Sequence, residues 1–146
     1  MNNKNIKDTA MKHAPKSHKL KNTLIAFVSG GTLAIAAQLL FLVYNEVLHV
    51  DKDSAVSMTI VTIIIIASLL TGLGLYDKAA QTCGAGLFVP ISGFANSLTS
   101  CALEGKSEGL IYGIGGNMFK LAGSVLTYGI SSAFVFGMIR FLLFGA

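Results

Sequence analysis

Residues 77–108 read DKAAQTCGAGLFVPISGFANSLTSCALEGKSE. This run has no charged side chain from position 79 to 103, so it is long enough and apolar enough to cross a bilayer. It nevertheless carries Gly84, Gly86, Pro90, Gly93 and Asn96. Backbone at bilayer depth must satisfy its N–H and C=O groups internally, so a helix interrupted this often is tolerated only where it packs in protein or faces a water-filled cavity. The pattern therefore points to a solute pathway.

Three other apolar segments surround it, at about 23–48, 55–76 and 109–144. The first two exceed the roughly 20 residues that span a ~30 Å hydrocarbon core. The expected fold is an all-α membrane protein with about four transmembrane segments. The third of these is broken or re-entrant, and the fourth is open to the same reading around Gly115, Gly116 and Asn117. Residues 1–22 form a basic cytoplasmic tail and 23–146 a transmembrane domain.

Composition supports this class. Apolar residues make up 53% of the 146 and charged residues 12%, against roughly 25% charged in soluble domains. The 16 glycines suit helices that must approach closely without a hydrophobic force between them. The net charge of +4 is concentrated at Lys4, Lys7, Lys12, Lys16, Lys19 and Lys21, opposed only by Asp8. Such a tail favours an anionic cytoplasmic leaflet rather than nucleic acid, because no recognition module follows it. The small residues Ala34 and Ala36 resemble a cleavage site, but the apolar run continues past Val43, which favours a retained signal anchor. Glu46, Asp51, Lys52 and Asp53 make an acidic connection suited to the outside, and Asp77 and Lys78 return to the inside. A full crossing by the third segment would place Glu104, Lys106 and Glu108 outside and Arg140 inside, beside the basic tail. A re-entrant path swaps both assignments. The full crossing is the expected path because it puts Arg140 on the basic side.

Several side chains stand out at depth. Lys120 lies about ten residues, or ~15 Å, inside the fourth segment. Three readings of it remain open: a helix break that lets it snorkel to the interface, an internal ion pair, or contact with an anion. Gln38 and Asp77 are gating or interface candidates: Gln38 suits an interhelical hydrogen bond, with a solute ligand the alternative, and Asp77 an interfacial loop carboxylate, with gating or cation contact the alternative. Ala26, Gly30, Ala34 and Gln38 recur every four residues on the first helix, as do Gly129, Ala133 and Gly137 on the fourth. Either stripe fits packing within one subunit or between copies. Cys83 and Cys101 read as small apolar filler. His13, His18 and His49 are scattered, and no metal set, triad, phosphate loop or buried carboxylate pair is present, so neither a metal site nor an enzyme is expected.

The blocks GAG at 84–86, VPISGFANS at 89–97, EGKSEG at 104–109 and NMFKLAG at 117–123 together closely resemble the SpoVA membrane proteins of endospore-forming bacteria. The resemblance runs from about residue 27 to 141. GAG and VPISGF are shared between branches of that family, while EGKSEG, NMFKLAG and the basic tail favour its AC branch. The resemblance implies a multi-pass subunit of the spore's inner, forespore-derived membrane. On this resemblance the complex moves dipicolinic acid, with calcium, into the spore and releases it at germination, and a tension-responsive channel is implied as well. It implies as partners an AE-like membrane subunit and a soluble AD-like subunit, in a homo- or hetero-oligomer, and no cofactor. On that view Gly84, Gly86, Pro90, Gly93 and Asn96 form a broken-helix element presenting free N–H groups to carboxylates, with Lys120 as charge partner. For a neutral calcium chelate, Asn96, Asn117 and backbone carbonyls replace it. The alternative is a non-conducting scaffold that docks the soluble subunit. No ATP-binding motif is present, so uptake would draw on a gradient or on another protein's work.

Overall fold

The computed structural model describes residues 18–145. Helix α1 (Lys19–Leu42) runs on through a π-helical turn, Val43–Val47, and is followed by α2 (Lys52–Gly72), α3 (Leu75–Cys83), α4 (Ala85–Phe88) and α5 (Ile91–Glu104). A 3-10 turn, Gly105–Glu108, and a π-helical turn, Leu110–Gly115, lead into α6 (Gly116–Phe144). The described residues contain no strand. Three stretches are long and apolar enough to span a membrane: Lys19–Val47, Lys52–Gly72 and Leu110–Phe144. Of the basic tail, Lys4, Lys7, Asp8, Lys12 and Lys16 lie outside the described residues. Lys19 and Lys21 belong to the first turn of α1, which therefore starts earlier than the expected position 23.

The α1–α2 connection is closed by side chains. Asn45 Nδ2 donates to the Val50 carbonyl at 3.0 Å, and the Tyr44 and Thr62 hydroxyls lie 2.8 Å apart. Asp51 caps α2, accepting the Ser54 N–H at 3.1 Å. The Ser54 hydroxyl and backbone N–H together hold this carboxyl below its ordinary pKa. A capping carboxylate at a helix N-terminus also meets the positive end of the macrodipole.

The second segment ends earlier than its hydropathy suggested. Gly74 takes φ +70, a conformation that L side chains resist, and turns the chain out of α2. Tyr76, expected at the end of the second span, belongs to α3. The third segment is then broken twice, at Gly84 (φ +57) and at Pro90, which caps α5 in extended conformation. Its longest unbroken piece is the 14-residue α5, short of the roughly 20 residues a crossing helix needs.

The direction of α5 follows from its neighbours. Asn96 pairs with Thr71 near the end of α2, Ser92 shares a crevice with Ala67, and Pro90 and Ile91 share a groove with Ile60 and Ile63. Both chains thus advance together, so α5 runs alongside α2 in the same direction. Chain leaving α2 passes back along it through α3 and α4 and then returns in α5. The third segment is thus broken, as its glycines and proline predict.

The core is built from small side chains. Ala67, Tyr76, Ala80 and Ala95 are buried together, with Leu87 packed against them. Gly86 of α4 lies directly on α1: a Cβ there would strike Ser29 Oγ and the Ala26 carbonyl, and would sit 2.9 Å from the Gly30 nitrogen. Gly105 and Gly113 clasp backbone to backbone where α5 hands over to the final helix, with Asn117 Nδ2 against the same glycine. Gly115, Gly116 and Asn117 do not break that helix; the π turn passes into α6 without a gap. From position 123 to 144, every residue of α6 is exposed within the chain.

The two glycines at the α1–α4 contact should therefore respond differently. Gly86→Ala is expected to lower the stability of the detergent-solubilised protein by about 1–3 kcal/mol through overpacking. Gly30→Ala should be tolerated, because its Cβ would stand 3.5 Å from the nearest Gly86 atoms. Thermal melting followed by size-exclusion chromatography distinguishes them, and equal behaviour would refute this contact.

Candidate functional site: the broken helix and its groove

Pro90 has no N–H, and the break it makes leaves carbonyls of α4 without helical partners. Tyr76 meets one of them: its hydroxyl donates to the Leu87 carbonyl at 2.9 Å and accepts from the Ser92 hydroxyl at 2.9 Å. One turn further along α5, Asn96 meets Thr71 with 2.7 Å between Oγ1 and the amide side chain, and Thr71 Oγ1 also lies 2.7 Å from the Ala67 carbonyl. A hydroxyl has one proton. The pairing that satisfies all three groups turns the Asn96 amide so that its N–H donates to Thr71, which donates to Ala67. Ser92, Asn96 and Thr71 are 2%, 3% and 4% exposed, so these bonds form away from both water and lipid. Gly93 completes the hairpin: a Cβ there would strike the Leu87 and Phe88 carbonyls.

The residues singled out in the sequence are thereby divided. Gly86, Gly93 and Asn96 are buried against α1, α4 and α2 respectively. Gly84 supplies the positive-φ break. Pro90 lines a groove. Asn117 sits at the Gly105 clasp, and Lys120 is exposed on α6. They do not converge on one cavity. Asp77 is exposed in the first turn of α3. Cys83 and Cys101 are half-buried free thiols. Thr71, Tyr76 and Ser92 were not anticipated. The signal for Ser92 was its i, i+4 spacing to Asn96, which places both on one helix face.

A groove runs along one flank of the α1–α2 seam. Gly30, Leu33, Ala34 and Ala37 of α1 face Ile60 and Ile63 of α2, with Pro90, Ile91 and Ser92 at the inner end, around about 250 Å³. It continues through Ala34, Ala37, Gln38 and Phe41 against Val56, Thr59, Ile60 and Ile63 to Lys52, around about 570 Å³. A separate crevice of about 150 Å³ holds Leu40, Ile66, Leu70, Tyr76 and Ser92. These walls are mostly aliphatic. They suit lipid tails or another helix better than a dianion, whose desolvation they would not offset.

A double-mutant cycle on Thr71→Val and Asn96→Leu should return a coupling of about 0.6 kcal/mol, and at most about 1.7, the range of interhelical hydrogen bonds in membranes. Tyr76→Phe should destabilise the fold independently, because it orphans the Leu87 carbonyl. Strict additivity of Thr71→Val and Asn96→Leu in unfolding measurements would remove the bond from the account.

Residues 22–139 match the family described as SpoVAC/SpoVAEB sporulation membrane protein. Stage V sporulation protein AC of Bacillus subtilis (strain 168) is 44% identical over 137 residues, covering 94% of this chain and 91% of that protein. No solved structure matches the chain. The family match and the relative each span nearly all of the described helices, and the chain belongs to the SpoVAC/SpoVAEB family of sporulation membrane proteins.

Proposed function

We propose that this protein is a membrane subunit of the machinery that moves dipicolinic acid, with calcium, across the spore's inner membrane during sporulation and germination. The observation that carries the reading is the twice-broken segment. Its backbone interruptions are held at depth by Tyr76, Ser92, Thr71 and Asn96, a construction found where irregular backbone borders a transport path. Membership of a sporulation membrane family supplies the biological setting. The aliphatic groove argues that a single copy does not enclose the path. The solute then passes between copies, or between this chain and AE-like and AD-like partners. Lys120, exposed on α6, is positioned for such a shared path rather than for an intrachain ion pair.

The scaffold reading keeps one specific support. The buried side of the broken segment is occupied by protein contacts, with Gly86, Gly93 and Asn96 all engaged, so the free amides expected to greet a carboxylate are not presented by these residues. On that reading the chain holds the soluble subunit while another subunit conducts.

The direction of α5 also supports a re-entrant topology. The third segment enters and leaves on the face where α2 ends, Glu104, Lys106 and Glu108 join Asp77 and Lys78 there, and Arg140 lies on the opposite face.

Two measurements test these readings. Spores of an in-frame deletion strain should lack dipicolinate and regain it on complementation; normal content in the deletion would overturn the transport role. Complementation with Lys120→Gln, with assembly checked by immunoblot, separates conduction from scaffolding, since only conduction predicts reduced uptake by an assembled complex. For topology, in a chain with Cys83 and Cys101 replaced, an impermeant thiol reagent should reach Lys78→Cys and Ser107→Cys from one face and Asp53→Cys and Gly145→Cys from the other. Labelling of positions 78 and 107 from opposite faces would restore the full crossing.

A further inference from the structure

Two features of the molecule are incomplete and match each other. The first is α6: beyond Leu121 and Ala122, which are half-buried, residues 123–144 are all exposed within the chain, and Gly129 and Gly137 have no atom within 4 Å of where a Cβ would stand. The second is the outer part of the α1–α2 groove. The inner end of the small-residue stripe on α1 is used within the chain, where Ala26, Ser29 and Gly30 meet Gly86. Ala34 and Gln38, further along, line open groove.

Charge decides what fits. Lys52 lines the outer end of the groove, and Glu46, Asp51 and Asp53, close to it in the chain, are exposed as well, three carboxylates against one ammonium in the α1–α2 connection. This balance disfavours an anionic lipid headgroup and favours a segment with a cation at that level. In the re-entrant topology proposed above, α1 and α6 run in the same direction, and Arg140 arrives on the face of Glu46, Asp51 and Asp53. Setting Arg140 level with this loop places Ala133 beside Gln38 and Gly129 beside Ala34. Small residues then face small residues at the same four-residue spacing, as close helix packing requires.

We propose that α6 of one copy lies in the outer α1–α2 groove of a second copy, with Arg140 against the acidic α1–α2 loop of that copy. The contact is heterologous, since different surfaces meet, so repetition generates a ring or an open array rather than a closed pair. A ring of this kind would leave a central space bounded by several copies. The inference rests on the re-entrant topology but not on the identity of the solute.

Disulfide cross-linking in spore membranes tests it, using full-length protein in which Cys83 and Cys101 are replaced and two differently tagged copies are co-expressed. Gln38→Cys on one copy and Ala133→Cys on the other should yield a mixed dimer on mild oxidation. The yield should be lost with Arg140→Glu and recovered when Glu46→Arg is added to the groove copy. A dimer from Ala133→Cys alone would mean that α6 packs on α6, and overturns the assignment. Cross-links to a polypeptide of another mass overturn it in favour of a different partner, and none at all means that lipid fills the groove. Labelling of positions 78 and 107 from opposite faces would fail the topology itself, whereas correct labelling without the mixed dimer would fail only the contact.

Discussion

The structure depends on satisfying backbone groups where a helix is broken inside an apolar environment. Pro90 and Gly84 interrupt the third segment, and each interruption frees groups that neither lipid nor water can serve at depth. The solution is local and specific. The Tyr76 hydroxyl reaches the Leu87 carbonyl, Ser92 donates to the same hydroxyl, and glycines at 86 and 93 let backbone lie directly against backbone or side chain. Tyr76 can do this only because Gly74 ends α2 and starts α3 at the right place. One left-handed glycine thus positions the group that makes the break tolerable.

Close approach substitutes for hydrophobic burial throughout. The buried residues are Ala55, Ala67, Ala80, Ala95 and a few hydroxyl or amide side chains, and large aliphatics such as Leu69, Val89 and Ile111 face outward. This inverts a soluble core, as expected when the surrounding lipid is as apolar as leucine and helix association rests on packing and hydrogen bonds. It also explains why a glycine at the α1–α4 contact cannot serve as a neutral probe of conduction. Widening Gly86 would separate α1 from α4 before it altered any solute path.

Much of this was legible in the sequence, and what was not has physical reasons. The breaks at Gly84 and Pro90 announced themselves, because proline and glycine act on the backbone locally and independently of partners. The end of α2 was hidden, since residues 72–76 read GLGLY and hydropathy does not register a positive φ. The direction of α5 was hidden as well. Direction is set by which faces pair, Asn96 with Thr71 and Ser92 with the Ala67 level, and a charge count resting on Arg140 does not register those faces. Of the candidate residues, Gly86, Gly93 and Asn96 are engaged in packing contacts and Gly84 makes the positive-φ break. Their partners Thr71, Tyr76 and Ser92 belong to common residue types, so only the fold reveals them.

The same reasoning bears on where a solute can move. A dianion requires donors or cations that remain free, and the described interior uses its donors on itself: Tyr76 and Ser92 on the hairpin, Asn96 and Thr71 on each other. Among the polar and charged side chains left uncommitted, Gln38, Lys52, Lys120 and Arg140 lie on exposed faces of α1, α2 and α6. An exposed cation on a membrane-spanning helix is costly unless something covers it. The same burden falls on Lys120 and Arg140, which are separated by nearly six turns of α6. Covering both with neighbouring protein relieves it, and puts the free polar groups at boundaries between subunits. On the proposed reading, conduction and assembly are two consequences of one arrangement: the broken hairpin closes each copy on itself, and α6 carries Lys120 and Arg140 to a boundary that a neighbour completes.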